Sequence, residues 1–359
     1  MDTTPLLDNR PALIRDHPVF LRASHSPWSL IPQNVLSFVR GSILAYLTVA
    51  AALILNYELT NPPPNQNPTD PGAPDPDGPG SSDPNDPSLS TLASTATNWR
   101  LLFEFPIISF GLVLWYFVVT FSWTFTHLYY PDADDIDGRV QYAIIRLMSL
   151  PRDLGNARYQ FYFTLFYFTT VAYAFMNSAI YWFVTRPHDL VHVVTGLFTQ
   201  YPDEVKLWDA TAVTLARPFN DIFGEGWLRA FTLINLYAVT PVIMAIEVLF
   251  LNSIRRPNGI GGYLFALLVS AALYIGWAFI GHAATDVWPF FFLDAAQVGS
   301  TGAVVAYSIG FVLLAPIALV FMQGFVGVRE SLLRPTSLSR TLLGPRRTAD
   351  GGVLTQQSS

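Results

Sequence analysis

The sequence predicts an all-α fold: a polytopic membrane helix bundle of six transmembrane helices, both termini cytoplasmic. Three observations carry that expectation. The composition is poor in charge, six apolar stretches are long enough to cross a bilayer, and arginine is unevenly divided between the loops.

Of 359 residues, 51% are hydrophobic and 14% aromatic, while only 13% are charged. Mean hydropathy is +0.35. Soluble domains carry about 25% charged residues, so the composition excludes a disordered chain and an ordinary soluble enzyme. The net charge of -6 and a single lysine, Lys206, exclude a nucleic-acid partner. The absence of cysteine removes disulfides, thiolate metal sites and a cysteine nucleophile.

A bilayer core takes about 20 mostly apolar residues per helix. The first 35 residues hold five prolines among polar residues and no short apolar core of a cleavable signal. The first span, Leu36–Tyr57, is therefore expected to act as an uncleaved anchor. The second is Leu101–His127. The third, Tyr159–Thr185, has the aromatic content of a strand. Its length, and the need to satisfy every backbone group in lipid, favour helix. Leu228–Leu251, Gly262–Ala283 and Gly302–Val326 complete the set.

Basic residues stay on the cytoplasmic side. The segment to Arg40, the loop 128–158, the turn Arg255–Arg256 and the tail after Val326 hold 4, 4, 2 and 5 arginines. The opposite side holds Arg100, Arg186, Lys206, Arg217 and Arg229. An even number of spans then leaves both termini inside. The chain divides into a cytoplasmic segment 1–35, a transmembrane domain 36–326 and a basic, disordered cytoplasmic tail 327–359.

Within the transmembrane domain, residues 61–90 contain ten prolines and five aspartates, a composition that buries no core and reads as a solvated, disordered outer loop. A flexible spacer and an acidic binding tail are both compatible with it. A second outer loop, 186–227, is long enough for a short amphipathic helix around Trp208–Leu215 on the membrane surface.

Ionisable groups inside a membrane are expensive and mark functional sites by default. Glu104 stands early in the second span, Glu247 late in the fourth, and His282 at the end of the fifth with Asp286 four residues on. Span direction places Thr97, Glu104, Asn235, Tyr237, His282, Asp286 and Asp294 towards the outer leaflet and Glu247 near the inner face. Tyr237, Thr240, Met244 and Glu247 share one helical stripe. These groups read either as a polar pocket opening outwards or as ordinary interhelical hydrogen bonding. The i, i+4 spacing of His282 and Asp286 lets the carboxylate hold one imidazole nitrogen and leave the other as a base. His188 and His192 have two-ligand spacing without a third ligand, so no metal and no cofactor is expected.

The run Tyr274-Ile275-x-Trp277, then His282, Thr285, Trp288 and Phe292-Leu293-Asp294, resembles the androgen-induced protein family of six-span membrane proteins and the related rolling-stone-like proteins. Val242–Glu247, Tyr181-Trp182 and Thr97-Asn98-Trp99 fit the same pattern. The resemblance covers residues 95–326 in order and span count and is specific between Tyr237 and Asp294. It implies a membrane-embedded hydrolase of fatty acid esters of hydroxy fatty acids, with a threonine at the start of the second span and a histidine in the fourth.

The threonine maps onto Thr97, with an alternative register at Phe103; the histidine position holds Tyr237. A threonine hydroxyl needs an adjacent base, and a tyrosine with a pKa near 10 supplies a poor one. Either hydrolysis is lost, or His282 acts as base with Asp286 orienting it, Tyr237 assisting an oxyanion and Thr97 attacking. Glu104, Asn235, Trp277, Trp288 and Asp294 are the candidate binding residues. The expected partner is a membrane lipid, in an endomembrane or the plasma membrane. The alternatives are a non-enzymatic membrane organiser or adaptor and, third, a small-solute transporter.

Overall fold

The computed structural model describes residues 18–28, 30–61, 99–130, 138–150, 156–191, 220–224, 226–257 and 259–333. Among them there is no strand, and six helices are long and apolar enough to cross a membrane. These are Gln33–Thr60, Phe105–Tyr129, Ala157–Val191, Trp227–Leu251, Ile260–Thr285 and Thr301–Leu333. Each overlaps one expected span. The sixth runs seven residues past the expected end at Val326, which draws Arg329 into the helix. Residues 62–90, Thr97, His192, Trp208–Leu215 and the tail from 334 lie outside the described residues.

The helix ends follow local chemistry. Pro32 precedes the first span in an extended conformation, and Pro106 stands in the first turn of the second, where a missing N–H costs nothing. Asn156 caps the third span by accepting from the Arg158 amide. The fifth span stops where Asp286 adopts a left-handed conformation, φ 55°, its amide bonded to the His282 carbonyl.

The third span is the centre of the bundle: 67% of its apolar window is buried, against 22% for the first span. It packs on the second, fourth, fifth and sixth spans, while the first span lies against the second and fourth. Its aromatic residues suit that position. Tyr167 and Phe168 are fully buried, and Phe163 packs at a tilt against Phe20 and Trp123. Phe20 belongs to a short helix, Val19–Ser24, that plugs the inner end. A helix outside the spans, Arg139–Met148, joins the second to the third.

Candidate functional site

Two polar regions stand out, one at each end of the bundle. At the inner end, Glu247 of the fourth span and Arg40 of the first form an ion pair of 2.7 Å with no exposure on either side chain. The Glu247 Oε1 also accepts the Tyr116 hydroxyl at 2.9 Å. Arg40 also donates to Thr124 Oγ1 at 2.7 Å and to the Leu251 carbonyl at 2.9 Å, while its buried Nε has no hydrogen-bond partner. Beside this pair, Arg329 of the sixth span donates to the carbonyls of Val248 and Asn252, both at 2.7 Å, and to that of Ile254. The Asn252 amide reaches Tyr167 Oη at 3.0 Å. Five spans thus meet in one buried network.

Two arginines face one carboxylate, so the network carries an excess cation. The end of the fourth span neutralises it. Residues Glu247–Leu251 form a π turn whose carbonyls are the negative end of the helix dipole, and the non-helical Asn252 and Ile254 beyond it add further carbonyl acceptors. Both guanidiniums bond there. Arg40 and Arg329, which count by position among the cytoplasmic charges, are both buried. The remaining basic residues still favour the same side. One signal was readable: an acid at the inner end of a span calls for a cation at equal depth, and Arg40 and Arg329 each border an apolar run there.

Mid-bundle, the fourth span makes a second π turn at Asn235–Val239, and the third makes one at Tyr181–Thr185. Pro241 explains the first, because it has no N–H for the carbonyls one turn earlier. The third span supplies the missing donors. Asn177 Nδ2 bonds the Leu236 carbonyl at 3.0 Å, and Trp182 Nε1 bonds the Tyr237 carbonyl at 3.2 Å. The Thr240 hydroxyl takes the Asn235 carbonyl at 2.7 Å. The rings of Tyr181 and Tyr237 stack at 3.8 Å between them. Asn177 and Thr240 therefore serve backbone satisfaction and helix packing.

At the outer end, Arg100 lies 3.3 Å from Glu58 and 3.0 Å from Glu104, joining the first span to the turn before the second. That turn, the 3₁₀ segment Arg100–Leu102 followed by Phe103, docks on the fifth span. The Tyr274 hydroxyl bonds the Phe103 carbonyl and the Trp277 indole bonds the Leu102 carbonyl, each at 3.0 Å. Gly281 is required there, because a Cβ would collide with the Phe103 ring.

Among the described residues, the expected Tyr237 and His282 do not meet. Tyr237 stacks on Tyr181, whereas His282 stacks on Trp288 at 3.8 Å. No hydrogen bond, ion pair or ring contact joins Tyr237 to His282. The expected pairing of His282 with Asp286 is also absent. The helix ends at Asp286 in a left-handed conformation, and His282 Nδ1 is buried without a hydrogen-bond partner. Asn235 accepts the Tyr46 hydroxyl at 2.5 Å. Asp294 caps the short helix Ala295–Val298 by accepting from the Ala296 amide. Among the described residues, no cluster of three metal-ligating side chains occurs.

Two apolar grooves complete the outer half. One, of about 620 Å³, lies between the second, third and fifth spans against Ile108, Tyr173, Tyr274, Gly276 and Trp277. The other, of about 500 Å³, lies between the third and sixth spans against Val184, Phe292, Tyr307 and Gly310. Six apolar helices around a desolvated ionic core define an integral, multi-pass membrane protein. The chain matches no family model, no curated protein and no solved structure.

Proposed function

We propose that this membrane protein binds the acyl part of a lipid in its outer half, as a relative of the androgen-induced and rolling-stone-like proteins. The supporting observation is the groove of about 620 Å³ between the second, third and fifth spans. Its wall carries Trp277, a candidate binding residue, and its lining is largely apolar and aromatic, with most of its polar side-chain atoms already used. The Trp277 indole and Tyr274 hydroxyl are committed to backbone carbonyls, and Ser270 Oγ to Leu267. Such a wall offers mainly dispersion contacts, which suit a hydrocarbon better than a polar solute.

The test is photolabelling of the purified protein in nanodiscs with a diazirine fatty acid, read by peptide mass spectrometry. Adduct is expected on Leu273 and Trp277. A Cβ at Gly276 meets no atom within 4 Å, so Gly276→Phe can start a side chain there and place its ring in the groove. It should cut labelling there about tenfold, the scale of lost apolar pocket contacts. Equal labelling in wild type and variant would overturn the reading.

Ester hydrolysis is the second reading, favoured by the unpartnered Nδ1 of His282 on the same span. Turnover of a fluorogenic lipid ester panel, abolished by Thr97→Ala and by His282→Ala, would support it. Absence of turnover in wild type would leave acyl binding alone.

A further inference from the structure

The helix Arg139–Met148 has no buried residue, yet it presents an apolar stripe. Val140, Ile144 and Leu147 stand at i, i+4 and i+7 and are 72%, 53% and 86% exposed. One edge of the helix bears Arg139 and Arg146; the Arg146 guanidinium is held over the Tyr142 ring and donates to its hydroxyl at 2.8 Å. No acid stands within the helix. Asp132, Asp134, Asp135 and Asp137 precede it in the sequence, at the end where its dipole favours negative charge.

The depth of this helix is fixed by one bond. The Thr126 hydroxyl of the second span lies 3.2 Å from the Met148 carbonyl, within the last turn of a helix that ends at Tyr129. The C-terminal end of Arg139–Met148 therefore lies level with the end of a membrane span. A strongly amphipathic helix at that level, with its apolar stripe uncovered by protein, meets the boundary between headgroups and acyl chains.

We propose that Arg139–Met148 is an interfacial helix seated in the leaflet on the cytoplasmic side. Val140, Ile144 and Leu147 enter the acyl region, and Arg139 and Arg146 meet phospholipid phosphates. Snorkelling places the guanidiniums at the phosphate level while the stripe stays in hydrocarbon. A protein partner is the competing occupant of the same stripe.

The chain has no cysteine, so Leu147→Cys, Ile144→Cys and Gln141→Cys each give one label site. All three positions are exposed or uncovered in the bundle, so folding does not depend on them. The full chain, labelled with an environment-sensitive fluorophore in phosphatidylcholine nanodiscs, is titrated with iodide and, separately, with doxyl-labelled lipid. Probes at Leu147 and Ile144 should be quenched by doxyl lipid and several-fold less by iodide than the probe at Gln141. Equal iodide quenching at all three sites would overturn the proposal. Protection from iodide without quenching by doxyl lipid would also overturn it, in favour of a protein contact.

Discussion

The inner and outer ends of this bundle join helices by opposite means. At the inner end, Arg40, Glu247 and Arg329 link the first, fourth and sixth spans through charged groups with essentially no exposure. At the outer end the ion pairs of Arg100 with Glu58 and Glu104 keep some access to solvent, with the carboxylates 18% and 20% exposed. The helices are instead fitted together there by rings. The Phe105 ring of the second span meets Tyr173 of the third, Tyr274 of the fifth and Phe311 of the sixth, and Tyr274 stacks on Phe311. The difference teaches where this fold tolerates change. A desolvated charge fixes its partner, because separating the pair leaves an ion in a medium that cannot hydrate it. Stacked rings and apolar grooves tolerate displacement and leave space, which is where a lipid can enter.

The comparison breaks most sharply at Glu247. Glu247→Ala strands the Arg40 guanidinium and should destabilise the protein by about 3–5 kcal/mol, read as a loss of unfolding midpoint in mixed micelles. The double variant Arg40→Met/Glu247→Leu should recover most of that loss, since an apolar pair of similar volume needs no solvation. If the double variant is worse than either single one, the ion pair is not the coupling element. Tyr116→Phe keeps the packing and removes one hydrogen bond to the Glu247 carboxylate. About 1.5–3 kcal/mol is expected for a bond to a charged group, by the same unfolding assay.

The middle of the bundle gives a smaller and more diagnostic effect. Asn177→Ala uncovers the Leu236 carbonyl and should cost about 1–2 kcal/mol. In a Pro241→Ala background the backbone regains an N–H, so the cost of Asn177→Ala should shrink. Additive costs in that double-mutant cycle would show that Asn177 does not compensate for the proline. Smallest of all, Glu58→Gln at the outer end should change stability by about 0–1 kcal/mol, and less at high salt. A larger loss there would erase the contrast between the two ends.

The span positions were legible because hydropathy and length are local properties. Leu228–Leu251 is expected and Trp227–Leu251 observed; Gly262–Ala283 is expected and Ile260–Thr285 observed. Helix ends were less legible where burial overrides composition. Arg329 reads as the start of a basic tail, and only the carbonyls of Val248, Asn252 and Ile254 make it a core residue. The interfacial helix was legible in principle: Val140, Ile144 and Leu147 repeat at helical spacing between two arginines. The expected amphipathic helix at Trp208–Leu215 lies outside the described residues. At the outer end, His282 and Tyr237 stand out in the sequence by type and depth and Trp277 through the family resemblance, but residue type carries no information on which face meets which.

What the sequence by itself determined is the class. A chain this apolar, with six stretches of membrane length and its arginines gathered on one side, has no soluble alternative, because its backbone and side chains can be satisfied only as helices in lipid. The tertiary structure alone decided the pairings. Arg40 and Glu247 are 207 positions apart, Asn177 and the Leu236 carbonyl 59. Helix packing chooses such partners through the summed fit of whole surfaces, and that sum is written in three dimensions.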